Sequence, residues 1–330
     1  MTHGPAEDGR THPSPPSDPS GTAGGLRVSG VVHEVLGGVY QVALADGRWV
    51  EASLRGRVKR DARIGDRVVI GDRVEVSESD GSWTVDSVDE RATRVVRRAP
   101  GGRKPKVVAA NLDRLFAVVA ARDPDIRPEL IDRLLAVAAT GGLAATLVVN
   151  KVDLDGAAEV AEELRAVYEP IGYPVLPVSA ETGEGVAAFA AAVCSGSSAL
   201  VGPSGAGKST LLNQVDPDLE LRTGGLSRKT GRGRHTTVSS RLIPLTCGGL
   251  VADTPGFSEV ALWGVEPDDL AACFPEIAAL DGGCRFRGCA HETEPDCAVL
   301  EAVADGRIAA SRHESFRKLR AEAEEAARRW

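Results

Sequence analysis

Gly202-Pro203-Ser204-Gly205-Ala206-Gly207-Lys208-Ser209 fits the pattern G-x-x-x-x-G-K-[ST]. Ser198-Ala199-Leu200-Val201 in front of it is a short apolar run that reads as a buried strand. Thr210-Leu211-Leu212-Asn213 behind it continues as a helix. A phosphate loop needs that strand, turn and helix. Its glycines let backbone N–H groups curl around phosphate oxygens, which the N-terminus of the following helix also attracts. Lys208 is expected to reach the β- and γ-phosphates, and Ser209 to offer its hydroxyl to magnesium. Residues Gly202 to Thr210 are thus the expected phosphate contacts. A Gly-rich turn with an incidental lysine is the bland alternative, and the strand ahead of the loop argues against it.

At 330 residues, with 42% apolar, the chain can build two or three domains with real cores. No apolar run is long enough to cross a bilayer and the N-terminus has no signal core, so a soluble protein with no membrane partner is expected. Six cysteines without a secretory signal point to a reducing, cytoplasmic compartment, where clustered cysteines bind metal more often than they pair. The net charge of −8 argues weakly against nucleic acid, but the distribution matters more than the sum. Arg55, Arg57, Lys59, Arg60 and Arg63 form one basic cluster, and Arg91, Arg94, Arg97, Arg98, Arg103, Lys104 and Lys106 form another. From Arg222 to Arg241 there are basic residues and no acidic one. Such patches on an acidic chain suggest a localised surface for a polyanion; solvated loops are the alternative.

Residues 1–25 are rich in Pro, Gly, Ser and Thr and are expected to be a disordered tail. Residues 26–90 carry short alternating stretches: Val28 to Val35, Val39 to Leu44, Trp49 to Leu54, Arg67 to Ile70, Arg73 to Val76 and Trp83 to Val88. Gly37-Gly38, Asp46-Gly47, Gly65-Asp66 and Asp80-Gly81 separate them. That predicts a small antiparallel barrel of about five strands, of the oligonucleotide-binding (OB) type. Residues 91–106 read as a basic linker. Residues 107–257 alternate strand and helix, as in a parallel α/β sheet covered on both faces. Residues 258–330 read as a helical domain interrupted by a Cys/His cluster, and Ile308 to Trp330 as a solvated or docking helix.

Asn150-Lys151-Val152-Asp153 follows the strand ending at Val149, and ligands bind at the C-terminal ends of parallel strands. A carboxylate at Asp153 can accept hydrogen bonds from guanine N1–H and its exocyclic amine, a pair adenine lacks. Asn150 and Lys151 would hold neighbouring loops and stack along the base. Ser179-Ala180 matches by position the short loop that closes over guanine. Asp253-Thr254-Pro255-Gly256 follows a strand at Leu250; Asp253 would hold magnesium through water, and the Gly256 N–H would approach the γ-phosphate. Gly233-Arg234-His235-Thr236-Thr237 reads as a mobile loop in which Thr236 or Thr237 could coordinate magnesium. In ordinary GTPases the phosphate loop precedes N-K-x-D and the serine–alanine loop. Here both come first, so the domain reads as a circularly permuted GTPase.

Cys284-x4-Cys289-x-His291-x5-Cys297 offers three thiolates and one imidazole, enough to close one structural, tetrahedral zinc site. The closed ligand set would display Arg285, Phe286 and Arg287 on a rigid loop suited to RNA. Cys194, Cys247 and Cys273 lie in apolar contexts and read as packing residues.

Barrel, permuted GTPase and zinc module in this order resemble the ribosome small-subunit-dependent GTPase A family over about residues 26 to 320. The motifs above carry the resemblance, with Phe274-Pro275-Glu276 and the Phe257 that follows Gly256. The resemblance implies a cytoplasmic, monomeric GTPase that acts late in 30S subunit maturation. It would bind GTP or GDP with magnesium, contact 16S rRNA, and be stimulated by the subunit. Many members carry a third threonine where this chain has Val238. Phe257 stands where Ras-like GTPases place a water-orienting glutamine, and phenylalanine cannot hydrogen-bond water. Slow intrinsic hydrolysis follows. His235, with Lys208, is the candidate catalytic group; an RNA- or phosphate-contacting role for His235 is the alternative.

Overall fold

The computed structural model describes residues 27–55, 68–98, 105–221, 240–253 and 265–328. The tail 1–25 and parts of both basic clusters lie outside them. Five strands form the first unit: β1 (Arg27–Leu36), β2 (Val39–Leu44), β3 (Trp49–Leu54), β4 (Arg73–Ser79) and β5 (Ser82–Val88). Their order is β1-β2-β3-β5-β4, and β4 pairs back onto β1 from Arg27↔Ser77 to Val31↔Arg73, closing a barrel. Among the described residues only the β3–β5 pairing within it is parallel. Alternation sends Tyr40, Val42 and Leu44 of β2 inward against Val32, Val74, Val76 and Val85.

Val68 to Ile70, the described part of the stretch read as a strand from Arg67 to Ile70, forms no strand. Ile70 makes a single bridge to Ala109. The fully buried Asp72 carboxylate takes the Val69 N–H at 2.8 Å and is clamped by Arg91 at 2.8 and 2.9 Å. That side chain draws the backbone into a turn, a competition with strand pairing that composition does not reveal. Within the stretch read as a linker, β6 (Arg94–Arg98) pairs with β7 (Pro105–Ala110) as an antiparallel two-stranded sheet.

The α/β sheet contains β8 (Arg114–Ala120), β9 (Ala144–Asn150), β10 (Val175–Pro177), β11 (Ser197–Val201), β12 (Ser240–Pro244) and β13 (Leu250–Asp253), in the order β10-β9-β8-β11-β13-β12. All pairings are parallel except that of β12 with β13. Helices α1 (Pro128–Thr140) and α2 (Ala157–Tyr168) bury Ile131, Leu135, Ala161 and Leu164 on one face. Helices α3 (Val186–Val193) and α4 (Lys208–Val215) bury Phe189, Val193, Leu211 and Leu212 on the other. β12 also pairs with β1 through Glu34↔Arg241 and Val35↔Ser240, so barrel and α/β sheet are parts of one eleven-stranded sheet.

The C-terminal unit holds a 3-10 segment (Pro267–Cys273), α5 (Pro275–Ala278), α6 (Ala298–Ala304) and α7 (Ala310–Arg328) around Leu270, Phe274, Ile277, Val299, Phe316 and Leu319. α7 docks on α1. Its buried Arg312 donates to Asp132 of α1 at 2.5 Å and to Glu276 at 2.7 and 3.1 Å. The Tyr168 hydroxyl donates to the same Asp132 at 2.6 Å, and Phe274 lies under the guanidinium at 4.5 Å.

Two cysteines differ from expectation. Cys194, at the end of α3, and Cys247, in the β12–β13 turn, are joined in a disulfide with Cα atoms 5.6 Å apart. Close packing of Gly249 against the backbone of Val193 and Cys194 brings the turn and helix end together. The contact spans 53 residues and is invisible to local pattern. Cys273 is a free, buried cysteine, as read. Among the described residues no helix is long and apolar enough to cross a membrane.

Candidate nucleotide site and metal centre

The motifs converge at the C-terminal edge of the parallel strands: Gly202 after β11, Asn150 ending β9, Ser179 after β10, Asp253 ending β13. Two glycines are dictated by close approach. A Cβ at Gly202 would collide with the Val118 carbonyl of β8, and one at Gly207 with the Asn150 amide. Both also lie at positive φ, so the loop has a backbone path that other residues resist. Lys208 Nζ donates to the carbonyls of Gly202 and Pro203 at 2.8 Å, lying across the loop. Burial holds its ammonium below the usual lysine range. Ser209 is buried in the first turn of α4, which begins at Lys208.

Asn150 ties two of the motifs together. Its amide donates to the Ala206 carbonyl at 2.9 Å, and its side-chain oxygen accepts from the Ala180 N–H at 3.1 Å. Ser179 Oγ donates to the Asp153 carboxylate at 2.5 Å and accepts the Thr182 N–H at 3.0 Å, so the loop itself holds that carboxylate. Lys151 adopts positive φ and donates through Nζ to the Asp123 carbonyl. Asn150, Lys151, Asp153, Ser179, Ala180 and the phosphate loop therefore form one connected edge. Asp253 is buried beside β11, its Oδ2 3.5 Å from Arg241 of β12. Burial pushes its carboxyl up to about 6, with Arg241 pulling it back. The Ser209 hydroxyl, in the first turn of the helix that follows β11, and the Asp253 carboxylate, at the end of the neighbouring β13, are hard oxygen donors of the kind that suits magnesium. His235, Thr236, Thr237 and Gly256 lie outside the described residues.

The second centre is in the C-terminal unit. The ligand atoms of Cys284, Cys289, His291 and Cys297 all lie within 4.8 Å of one another and could hold a metal ion. Cys284 Sγ is 3.8 Å from Cys297 Sγ and 3.6 Å from His291 Nδ1, and His291 Nδ1 is 3.3 Å from Cys297 Sγ. A tetrahedron with metal–sulfur bonds of about 2.3 Å and a metal–nitrogen bond of about 2.0 Å has edges of about 3.8 and 3.5 Å, close to these. Burial lowers the His291 pKa, favouring the neutral imidazole a metal needs. Outside the ligands, Glu294 accepts the N–H groups of Ala290, Glu292 and Thr293 at 2.7 to 3.0 Å, and His313 Nε2 donates to the His291 carbonyl at 2.7 Å. Arg285 lies over Phe286 at 5.4 Å, and Phe286 is exposed.

Three features were not singled out in the sequence. Arg241 closed a basic stretch, yet strand register puts it on Asp253. Arg312 read as one more charge on a charged helix. On the barrel, Trp49 is 57% exposed with the His33 ring 4.7 Å away, and Arg48 lies over Trp83 at 5.5 Å. Alternation in β3 marks Trp49 as outward-facing, a signal that was available.

The RsgA GTPase family profile matches residues 88–263. The small ribosomal subunit biogenesis GTPase RsgA of Gemmatimonas aurantiaca is 45% identical over 89% of this chain and 97% of its own length. That of Moorella thermoacetica is 39% identical over the same shares. YjeQ from Thermotoga maritima superposes with a TM-score of 0.74 at 32% identity, covering 90% of this chain and 99% of its own. YloQ, described as a circularly permuted GTPase, gives 0.71 at 26% identity over 93% and 98%. With the phosphate loop and the Asn150 and Ser179 loops brought together at one sheet edge, the chain belongs to the RsgA GTPase family.

Proposed function

We propose that the protein hydrolyses GTP in the biogenesis of the small ribosomal subunit, binding the subunit through its 16S rRNA and turning over fastest when bound. The observation that carries the reading is Asn150, which joins phosphate loop to guanine loop in one edge with Asp153 held by Ser179. In this reading Asp153 reads the guanine edge and Lys151 lines the base. Phosphate-loop N–H groups, Lys208 and Thr210 hold the phosphates, and Gly256 approaches the γ-phosphate. Ser209, Asp253 and Thr236 or Thr237 hold magnesium, which when bound neutralises charge on the phosphates. The Cys₃His centre takes one structural zinc. Trp49 and His33 on the barrel and Arg285-Phe286-Arg287 beside the zinc supply stacking and charge for RNA. The protein works as a cytoplasmic monomer.

Phosphate release with and without purified small subunits tests the proposal. Stimulation by subunits, with GDP but not ADP competing, is expected. A second reading is favoured by Phe257: a scaffold locked by bound GTP with negligible turnover. GTP-dependent subunit binding without stimulated phosphate release would select it.

A further inference from the structure

Three charged residues lie in a row across the seam between barrel and GTPase sheet. Glu34 of β1 is directly opposite Arg241 of β12, and Arg241 is directly opposite Asp253 of β13. Directly opposed residues of antiparallel strands project from the same face, about 5 Å apart. Arg241 therefore projects from a face that carries Glu34 on one flank and Asp253 on the other. It touches Asp253, at 3.5 Å, on the buried side, where the Asp253 side chain is 9% exposed. Toward β1 the seam consists of two residue pairs, Glu34↔Arg241 and Val35↔Ser240, the only strand pairing between barrel and GTPase sheet among the described residues.

We propose that Arg241 is a positioning residue: it aims Asp253 toward the magnesium site and couples occupancy of that site to the barrel through Glu34. This rests on the reading of Asp253 as a magnesium-site residue. Among the described residues Arg241 makes the ion pair of the Asp253 carboxylate, and a charge-assisted contact fixes the direction in which a carboxylate points. When a dication draws on the Asp253 charge, the guanidinium's attraction to it weakens and Glu34 becomes the better partner. Metal binding and tightening of the β1–β12 seam are then one event. Reciprocity requires that loosening the seam weaken the metal.

The test uses the full-length protein and fluorescent N-methylanthraniloyl GDP. Nucleotide affinity is measured in EDTA and again across a magnesium titration, without hydrolysis. Wild-type affinity in EDTA checks nucleotide binding, and Asp253→Ala checks the assignment of the metal residue. Arg241→Met is expected to raise the half-saturating magnesium concentration about tenfold with EDTA affinity unchanged, and Arg241→Lys to recover part of the loss. Glu34→Gln is expected to raise it about threefold, and the Arg241→Met/Glu34→Gln pair to be no worse than Arg241→Met alone. If Asp253→Ala shifts the magnesium titration and Arg241→Met does not, the positioning role is overturned. Additive effects of the two substitutions overturn the coupling. An Asp253→Ala variant with wild-type magnesium dependence overturns the underlying site reading instead.

Discussion

The Arg312 guanidinium lies 2.5 Å from the Asp132 carboxylate, and neither side chain reaches solvent. One residue belongs to the last helix of the chain and the other to the first helix of the GTPase sheet. A buried pair of this kind contributes little over a matched apolar pair, but removing one partner strands the other. Arg312→Ala leaves Asp132 and Glu276 buried with no cation. It is expected to cost about 3–5 kcal/mol of stability, read from urea unfolding. Arg312→Lys should recover only part, because a lysine cannot make the forked contacts to Glu276.

Asp153→Asn exchanges the carboxylate proposed to read guanine for an amide. It is expected to weaken GDP binding by about 1.5–3 kcal/mol, roughly ten- to over a hundredfold, and to admit xanthosine diphosphate. Equilibrium titration with both nucleotides checks this. Equal affinity of the native chain for ADP and GDP would remove Asp153 from base recognition.

Asn150→Ala acts differently, since Asn150 ties the Ala206 carbonyl to the Ala180 N–H rather than reading the base. Two hydrogen bonds of about 0.5–1.5 kcal/mol each are lost. Affinity is expected to fall for GDP and xanthosine diphosphate alike, with no change of preference. The ratio of the two constants separates this variant from Asp153→Asn.

Glu294→Ala keeps all four metal ligands but frees the three N–H groups that shape the loop around His291. Loss of such a supporting carboxylate typically costs about 10–100-fold in metal affinity. Competition against a colorimetric chelator is expected to show that loss, while Cys289→Ser should lose metal outright. GDP binding should persist in both variants, because the nucleotide edge shares no residue with the metal centre.

The strands and helices of the GTPase sheet were legible because β-strand runs and amphipathic helices leave local marks. On the barrel, the Val39–Leu44 and Trp49–Leu54 strands coincide with their readings. The nucleotide motifs were legible because a phosphate loop and a guanine loop need particular residue types at short spacing. What escaped was long-range. Asp72 holds Val69 in a turn and pairs with Arg91, and Phe274-Pro275-Glu276 gained its purpose only when Arg312, 36 residues beyond Glu276, settled on it. Arg241 became a partner of Asp253 only through register. No local window contains such pairings.

Cys194→Ser is expected to lower stability by about 2–4 kcal/mol, since a cross-link over a loop of this length restricts the unfolded chain. Thermal melts of native and variant chains with and without reductant check it. Reductant should lower the native midpoint and leave the variant's unchanged.

The same bond has a topological result. Between Cys194 and Cys247 the chain runs through β11, the phosphate loop, α4, the Gly233-Arg234-His235-Thr236-Thr237 stretch and β12. The segment is a covalent ring with two tails: barrel and guanine loops on one, Asp253 and the metal centre on the other. A protease cutting once inside the ring, at one of its arginines for instance, opens it without dividing the molecule. Under non-reducing conditions the nicked chain still migrates as one species.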